Sequence, residues 1–311
     1  MRRSDREAES SPPLRSATRR RTLQQLSALS LSPLLPARLG LAATVSAVHA
    51  LPRVALVIGN SRYASLPLQN PTNDASAIAA TLKDSGFAVD LRLDAKKAAM
   101  EEAIRSFAES AGKQKAVGLF YFAGHGLQLS WRNFLVPVDA SPKTADDVPK
   151  QAVDIATLLQ GLGWASNPMN IVILDACRDN PFESELKTGK GLSQMDAPIG
   201  TLLAYATAPG NTAADGSGRN GLYTENLLRE MRKPDTRIED VFKRVRLNVR
   251  RASQGQQIPW ESTSLEDDFY FLPPAELKKL SQEELERQFA EERATWEKTQ
   301  QAVAAVKGSK S

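Results

Sequence analysis

The sequence predicts an α/β fold: a three-layer α/β/α sandwich with a mainly parallel central sheet. Two observations carry this. Short apolar runs, each closed by glycine or polar residues, recur along the chain. Between them lie stretches of helical periodicity. Strands that are apolar throughout are buried on both faces, and alternation with helices is the pattern of a parallel sheet covered on both sides.

The elements follow in order. "RVALVIG" (Arg53–Gly59) is a β-branched run ending at glycine and predicts a buried strand. "NDASAIAATLKDSG" puts Ala77, Ile78, Ala80, Thr81 and Leu82 on one helical stripe, with Asn73 or Asp74 as the N-cap and Gly86 as the stop. "FAVDLRL" alternates, as an edge or half-exposed strand does. "AKKAAMEEAIRSFAESAG" is a second helix, and "AVGLFYFAG" (Ala116–Gly124) a continuous apolar strand. "NFLVPVD" predicts a short strand or hairpin arm, "VDIATLLQGLG" a helix, "NIVILDA" a fourth buried strand and "GTLLAYATA" (Gly200–Ala208) a fifth. A loop rich in Gly, Asn, Asp and Ser leads to two helices, Leu222–Arg232 and Arg237–Arg251, and then to a strand-like "DDFYFLP". Pro273–Pro274 closes this domain. The remainder (274–311) is charged and helix-prone, with a sparse apolar stripe of Leu277, Leu280, Leu285, Phe289 and Trp296.

The net charge of +4 invites a nucleic-acid reading, but its distribution rejects it. Residues 1–50 hold eight Arg against three acidic residues, whereas the other 261 residues hold 32 basic against 33 acidic side chains. The body therefore offers no global electrostatic case for a phosphate backbone. The basic opening, with a moderately apolar stretch ending in "VHA", has the pattern of an export signal cut near Ala50–Leu51. "TRRRTLQ" loosely resembles a twin-arginine signal. Export to a periplasmic or extracellular location is the expectation, with a disordered basic leader, or a start placed too early, on a cytoplasmic protein as the alternative. No stretch is apolar enough to expect a membrane span in the mature form.

The body holds one His, His125, and one Cys, Cys177. Each falls at the carboxyl end of a predicted central strand, where ligands of open α/β sheets bind. Alone, a Cys is usually a small buried hydrophobe, and a lone His a satisfied polar group. On adjacent strand ends the pair acquires a chemistry, because a thiol beside an imidazole becomes a thiolate near neutral pH. Gly124 and Gly126 let backbone and amide approach a substrate carbonyl. Other uses of one Cys fit worse. A zinc site wants three or four ligands, disulfide exchange wants a second thiol, and "CRDNPFE" lacks the glycines of a phosphate loop. No G-x-S-x-G elbow or Walker loop occurs.

"ALVIGNSRY", "NPTNDASAIAATLKDSGFAV", "LFYFAGHG", "FLVPVDA" and "IVILDACRDNP", in that order, resemble the caspase-like cysteine peptidases, with the nearest likeness to bacterial metacaspase-like members. "LLAYATAPG" and "IPWESTSLEDDFYF" resemble the smaller part of that domain, so the likeness spans Arg53 to Leu272. It implies a caspase-like fold and a cysteine endopeptidase. Cys177 matches the nucleophile and His125 the general acid/base; the N–H groups of Gly126 and Cys177 match the oxyanion hole. Asp74 and Asp175 match two acids that line the primary pocket and select protein or peptide substrates with Arg or Lys before the cut. Fixed carboxylates suit a guanidinium. The competing structural roles are an N-cap for Asp74 and a backbone-bonded strand end for Asp175. Ala123 stands where relatives often carry Ser. Some relatives use calcium; Asp139, Asp146 and Asp147 form no D-x-D-x-D-G ligand loop, so this sequence supports no calcium site and requires no cofactor, while calcium use stays open. Lys187 and Lys190, after the nucleophile, fit either a self-cleavage site or a solvated loop. The rival readings are a catalytically silent caspase-fold scaffold that binds partners, and a thiol sensor.

Overall fold

The computed structural model describes residues 47–176, 182, 186, 191–208, 218–275, 287 and 290. The leader before Ala47, the expected nucleophile Cys177, Lys187, Lys190 and nearly all of the tail lie outside these residues.

The first described segment is a single 3₁₀ turn, Ala47–Ala50. Strand β1 (Arg53–Gly59) follows, then α1 (Pro71–Asp84), β2 (Ala88–Leu93), α2 (Lys97–Gln114) and β3 (Val117–Ala123). A hairpin of β4 (Gly126–Leu129) and β5 (Arg132–Leu135) leads through the one-turn α3 (Val148–Gln151) to β6 (Val153–Asp154). Then come α4 (Ile155–Ala165), β7 (Met169–Asp175), β8 (Thr201–Tyr205), α5 (Leu222–Met231), α6 (Ile238–Ala252) and β9 (Trp260–Thr263). The central sheet has the order β2-β1-β3-β7-β8-β9, and β4, β5 and β6 form a small second sheet. All pairs of the central sheet are parallel except β8–β9. Helix α2 packs on α4; α1 packs on α5, which packs on α6, giving the two helical layers. The α/β/α sandwich expected from the sequence is therefore present.

The local reasons are visible. β3 and β7 are buried at every residue, as strands covered on both faces must be. β2 is half-exposed because it is a sheet edge. Two expectations are corrected. Helix α1 begins with Pro71 behind the N-cap Asn70, so Asp74 stands one turn inside and is not the cap. Proline at the first helical position supplies the fixed φ that starts the helix earlier. "DDFYFLP" forms no strand: its one pairing is an isolated bridge between Tyr270 and Arg237, and Phe269 and Phe271 are core side chains packed edge to face. The last strand is instead the polar "WEST" of β9, an edge whose alternation is too weak to read.

The amino-terminal turn belongs to the fold. Val48 is 2% exposed and part of the main core, and the His49 ring lies 5.3 Å from that of Tyr270. Next to it, the Arg53 guanidinium sits 4.9 Å over the Phe269 ring and donates to the carbonyls of Ser85 and Phe271. Burial lowers its pKa to about 10. This contact ties the end of the domain to its first strand.

Candidate active site

The adjacent strands β1, β3 and β7 deliver their carboxyl ends to one place. In register, Gly59 sits beside Ala123, and Ala123 beside Asp175. Gly124 N–H then donates to the Asp175 carbonyl. His125 follows β3 after the single residue Gly124 and is 2% exposed.

The loop after β1 holds His125. Its backbone N–H donates to the Tyr63 hydroxyl at 3.0 Å, and that hydroxyl donates to the Val136 carbonyl at 3.0 Å. The Tyr63 and His125 rings lie 4.5 Å apart at 60°. His125 Nε2 is 2.8 Å from the Leu66 carbonyl oxygen. A carbonyl can only accept, so Nε2 carries the proton and Nδ1 is the basic nitrogen of the neutral ring. The loop is itself braced, since Ser61 and Arg62 donate their N–H groups to Asp94 Oδ1 at 2.8 and 2.9 Å. Beneath it, buried Asn60 accepts from Ala95 N–H at 2.8 Å and donates to Val136 O at 3.2 Å.

The two glycines have steric reasons. A Cβ on Gly124, whose φ is +157°, would stand 2.5 Å from the Tyr63 hydroxyl. A Cβ on Gly126 would stand 2.6 Å from the Ala176 carbonyl. Gly126 therefore lies against the residue that precedes Cys177. Cys177, its N–H group and its distance from His125 fall outside the described residues.

The two acids come together through a third element. Asp175 ends β7 and is 1% exposed; its Oδ2 accepts from the Thr224 hydroxyl at 2.9 Å. Asp74 is fully buried, and its Oδ1 accepts from Asn220 Nδ2 at 2.8 Å and from Gly221 N–H at 3.0 Å. Gly221 is the N-cap of α5 and Thr224 lies in its first turn, so both carboxylates face the positive end of that helix. Both also help to hold the Tyr121 phenol well above its usual range, after burial, the larger cause. For Asp175, Thr224 is thus a side-chain partner that the sequence did not suggest.

Sequence reasoning missed Tyr63, Leu66, Asn60, Asn220 and Thr224. A carbonyl that orients a ring has no side-chain signature, and the others look like ordinary loop and helix-start residues. Asp139 accepts from Lys97 N–H, and Asp147 closes a capping box with Thr144. Among the described residues no three His, Cys, Asp or Glu side chains gather as a metal group.

A parallel sheet that carries a histidine after one central strand, and whose neighbour runs into the chain's cysteine, defines a caspase-like α/β domain. The caspase domain family matches residues 52–270, and the chain belongs to that family. It is similar over 181 residues, at 29% identity, to the human mucosa-associated lymphoid tissue lymphoma translocation protein 1, a match covering 56% of this chain and 21% of the human protein. The mouse homolog of that protein matches with the same identity and coverage. The chain thus spans about a fifth of the length of these curated relatives. The family and this likeness support a protease-type fold of the kind that acts on protein substrates. No helix among the described residues is long and apolar enough to cross a membrane.

Proposed function

We propose that this chain is a cysteine endopeptidase that cuts after Arg or Lys, with Cys177 as nucleophile and His125 as its acid/base partner. The observation that carries the reading is the pair of buried carboxylates, Asp74 in the first turns of α1 and Asp175 at the strand end that leads into Cys177, together with His125 after the neighbouring strand, whose tautomer is held by Leu66.

The chemistry follows from these groups. Nδ1 of His125 takes the proton of the Cys177 thiol. The thiolate attacks the scissile carbonyl, and the oxyanion forms against the N–H groups of Gly126 and Cys177. The imidazolium, its charge eased by the Leu66 carbonyl on the far nitrogen, returns the proton to the leaving amine as the C–N bond breaks. Water, deprotonated by the same nitrogen, then releases the acyl group. Loss of one oxyanion donor typically costs roughly 10²–10³ in rate. The pocket acids supply charge for a guanidinium or ammonium side chain, which caps the residue before the cut. The leader adds export as the proposed location.

The test is hydrolysis of fluorogenic Arg, Lys and Asp peptides by wild type and Cys177→Ala, with and without calcium. Arg and Lys cleavage that disappears in Cys177→Ala is the expected result. Asp cleavage would overturn the pocket, and no cleavage in any arm would favour the silent scaffold.

A further inference from the structure

The two pocket acids sit on different elements, α1 and β7, yet both are bonded to one helix start. Asn220 and the N–H of Gly221 hold Asp74, and Thr224 holds Asp175. A third residue stands behind. The Tyr121 hydroxyl, on β3, lies 2.6 Å from Thr224 Oγ1.

The direction of this chain can be worked out. A carboxylate only accepts, so Thr224 spends its one proton on Asp175. Its oxygen must then accept from Tyr121. The phenol keeps its proton, because burial and the nearby carboxylates push its pKa up. Every link is buried: Tyr121 and Thr224 are fully so, and Asp175 is 1% exposed. The hydroxyl of Thr224 thus has a single orientation, set from behind and aimed at Asp175.

We infer that the first turn of α5 is the specificity organiser of this site, with Thr224 and Asn220 as positioning residues for Asp175 and Asp74, and Tyr121 setting the Thr224 hydroxyl. The inference rests on the basic-residue pocket proposed above. Its physical basis is pre-organisation. A buried carboxylate needs donors to stay charged, and a fixed one spares an arriving cation the cost of ordering it. The donors of α5 do both, and they do so for the two acids at once.

The experiment compares an Arg peptide with its citrulline isostere, which keeps the shape and lacks the charge. Wild type, Thr224→Val, Thr224→Ser and Asn220→Ala are measured, each with a thermal melt. A hydrogen bond to a charged group corresponds to roughly tenfold to a hundredfold in binding. Thr224→Val is expected to raise KM for the Arg peptide by about that factor while changing kcat by less than about twofold. The citrulline peptide is expected to change little, and Thr224→Ser to restore the Arg KM. Asn220→Ala, at the half-exposed end of the cluster, gives the same Arg-selective rise through Asp74 and serves if Thr224→Val does not fold. An unchanged Arg KM in both variants overturns the inference. So does an equal loss on Arg and citrulline, or a failure of serine to rescue. A wild type that does not prefer Arg over citrulline refutes the pocket itself, and that result is seen before any variant is made.

Discussion

Replacing Tyr63 with phenylalanine removes one oxygen and leaves the ring in place. That oxygen accepts from the backbone N–H of His125 and donates to the Val136 carbonyl. The two losses are unequal. Val136 O keeps a second donor, Asn60 Nδ2 at 3.2 Å, so its share is about 0.5 kcal/mol, the low end for a net hydrogen bond. His125 N–H sits in a residue 2% exposed, and a buried donor left unsatisfied costs about 1–3 kcal/mol. The hydroxyl is smaller than a methylene, so the cavity contribution is slight. The expected destabilisation is therefore about 1.5–3.5 kcal/mol. Urea unfolding measures it as a shift in midpoint at constant slope. The same bond sets the backbone under the His125 imidazole, the proposed acid/base, and a misplacement of about 1 Å can cost on the order of 100-fold in rate. Cleavage of an Arg peptide is expected to fall by roughly tenfold or more, with kcat carrying the loss. A midpoint shift worth less than about 0.5 kcal/mol, with unchanged kcat, would refute the reasoning, because it would mean that His125 N–H does not depend on Tyr63.

Other outcomes follow from the opening turn. A chain starting at Leu51 lacks Val48, whose burial is worth about 1.5–3 kcal/mol, so it is expected to melt below a chain starting at Ala47; equal melting temperatures would show that the turn contributes nothing. Burial, and then the nearby Arg53 charge, lower the pKa of His49 from its ordinary 6.5, while Asp268 and Asp267 oppose them. The folded state therefore prefers the neutral ring. This stability is fully present above pH 6.5 and is lost as pH falls through the folded pKa, because the unfolded chain takes up the proton first. His49→Gln is expected to flatten unfolding free energy between pH 7 and pH 5, whereas an unchanged profile would assign the slope to the carboxylates.

The sheet was legible because burial writes itself along the chain. β3 and β7 are covered on both faces, so apart from Asn170 and Asp175 of β7 their residues are apolar or small, and such runs need no knowledge of neighbours. The place of His125 was legible for the same reason, just past the end of β3. The motif order carried the family. Legibility failed where a residue's role depends on a distant partner. "DDFYFLP" has the composition of a strand, but Phe269 and Phe271 spend their apolar faces in the core beside Arg53. Asp74 has the composition and position of an N-cap, but Pro71 starts the helix three residues before it.

The sequence by itself therefore determined the layers, the strand ends and the residue types able to do chemistry there, since periodicity and local propensity are properties of adjacent residues. Only the tertiary structure decided how those residues are held. Tyr63 meets His125 across 62 residues, Thr224 meets Asp175 across 49, and Asn220 meets Asp74 across 146. A hydrogen bond depends on a distance of a few tenths of an ångström and on direction. Such precision between remote segments comes from packing the whole sheet and its helices, and no local pattern encodes it.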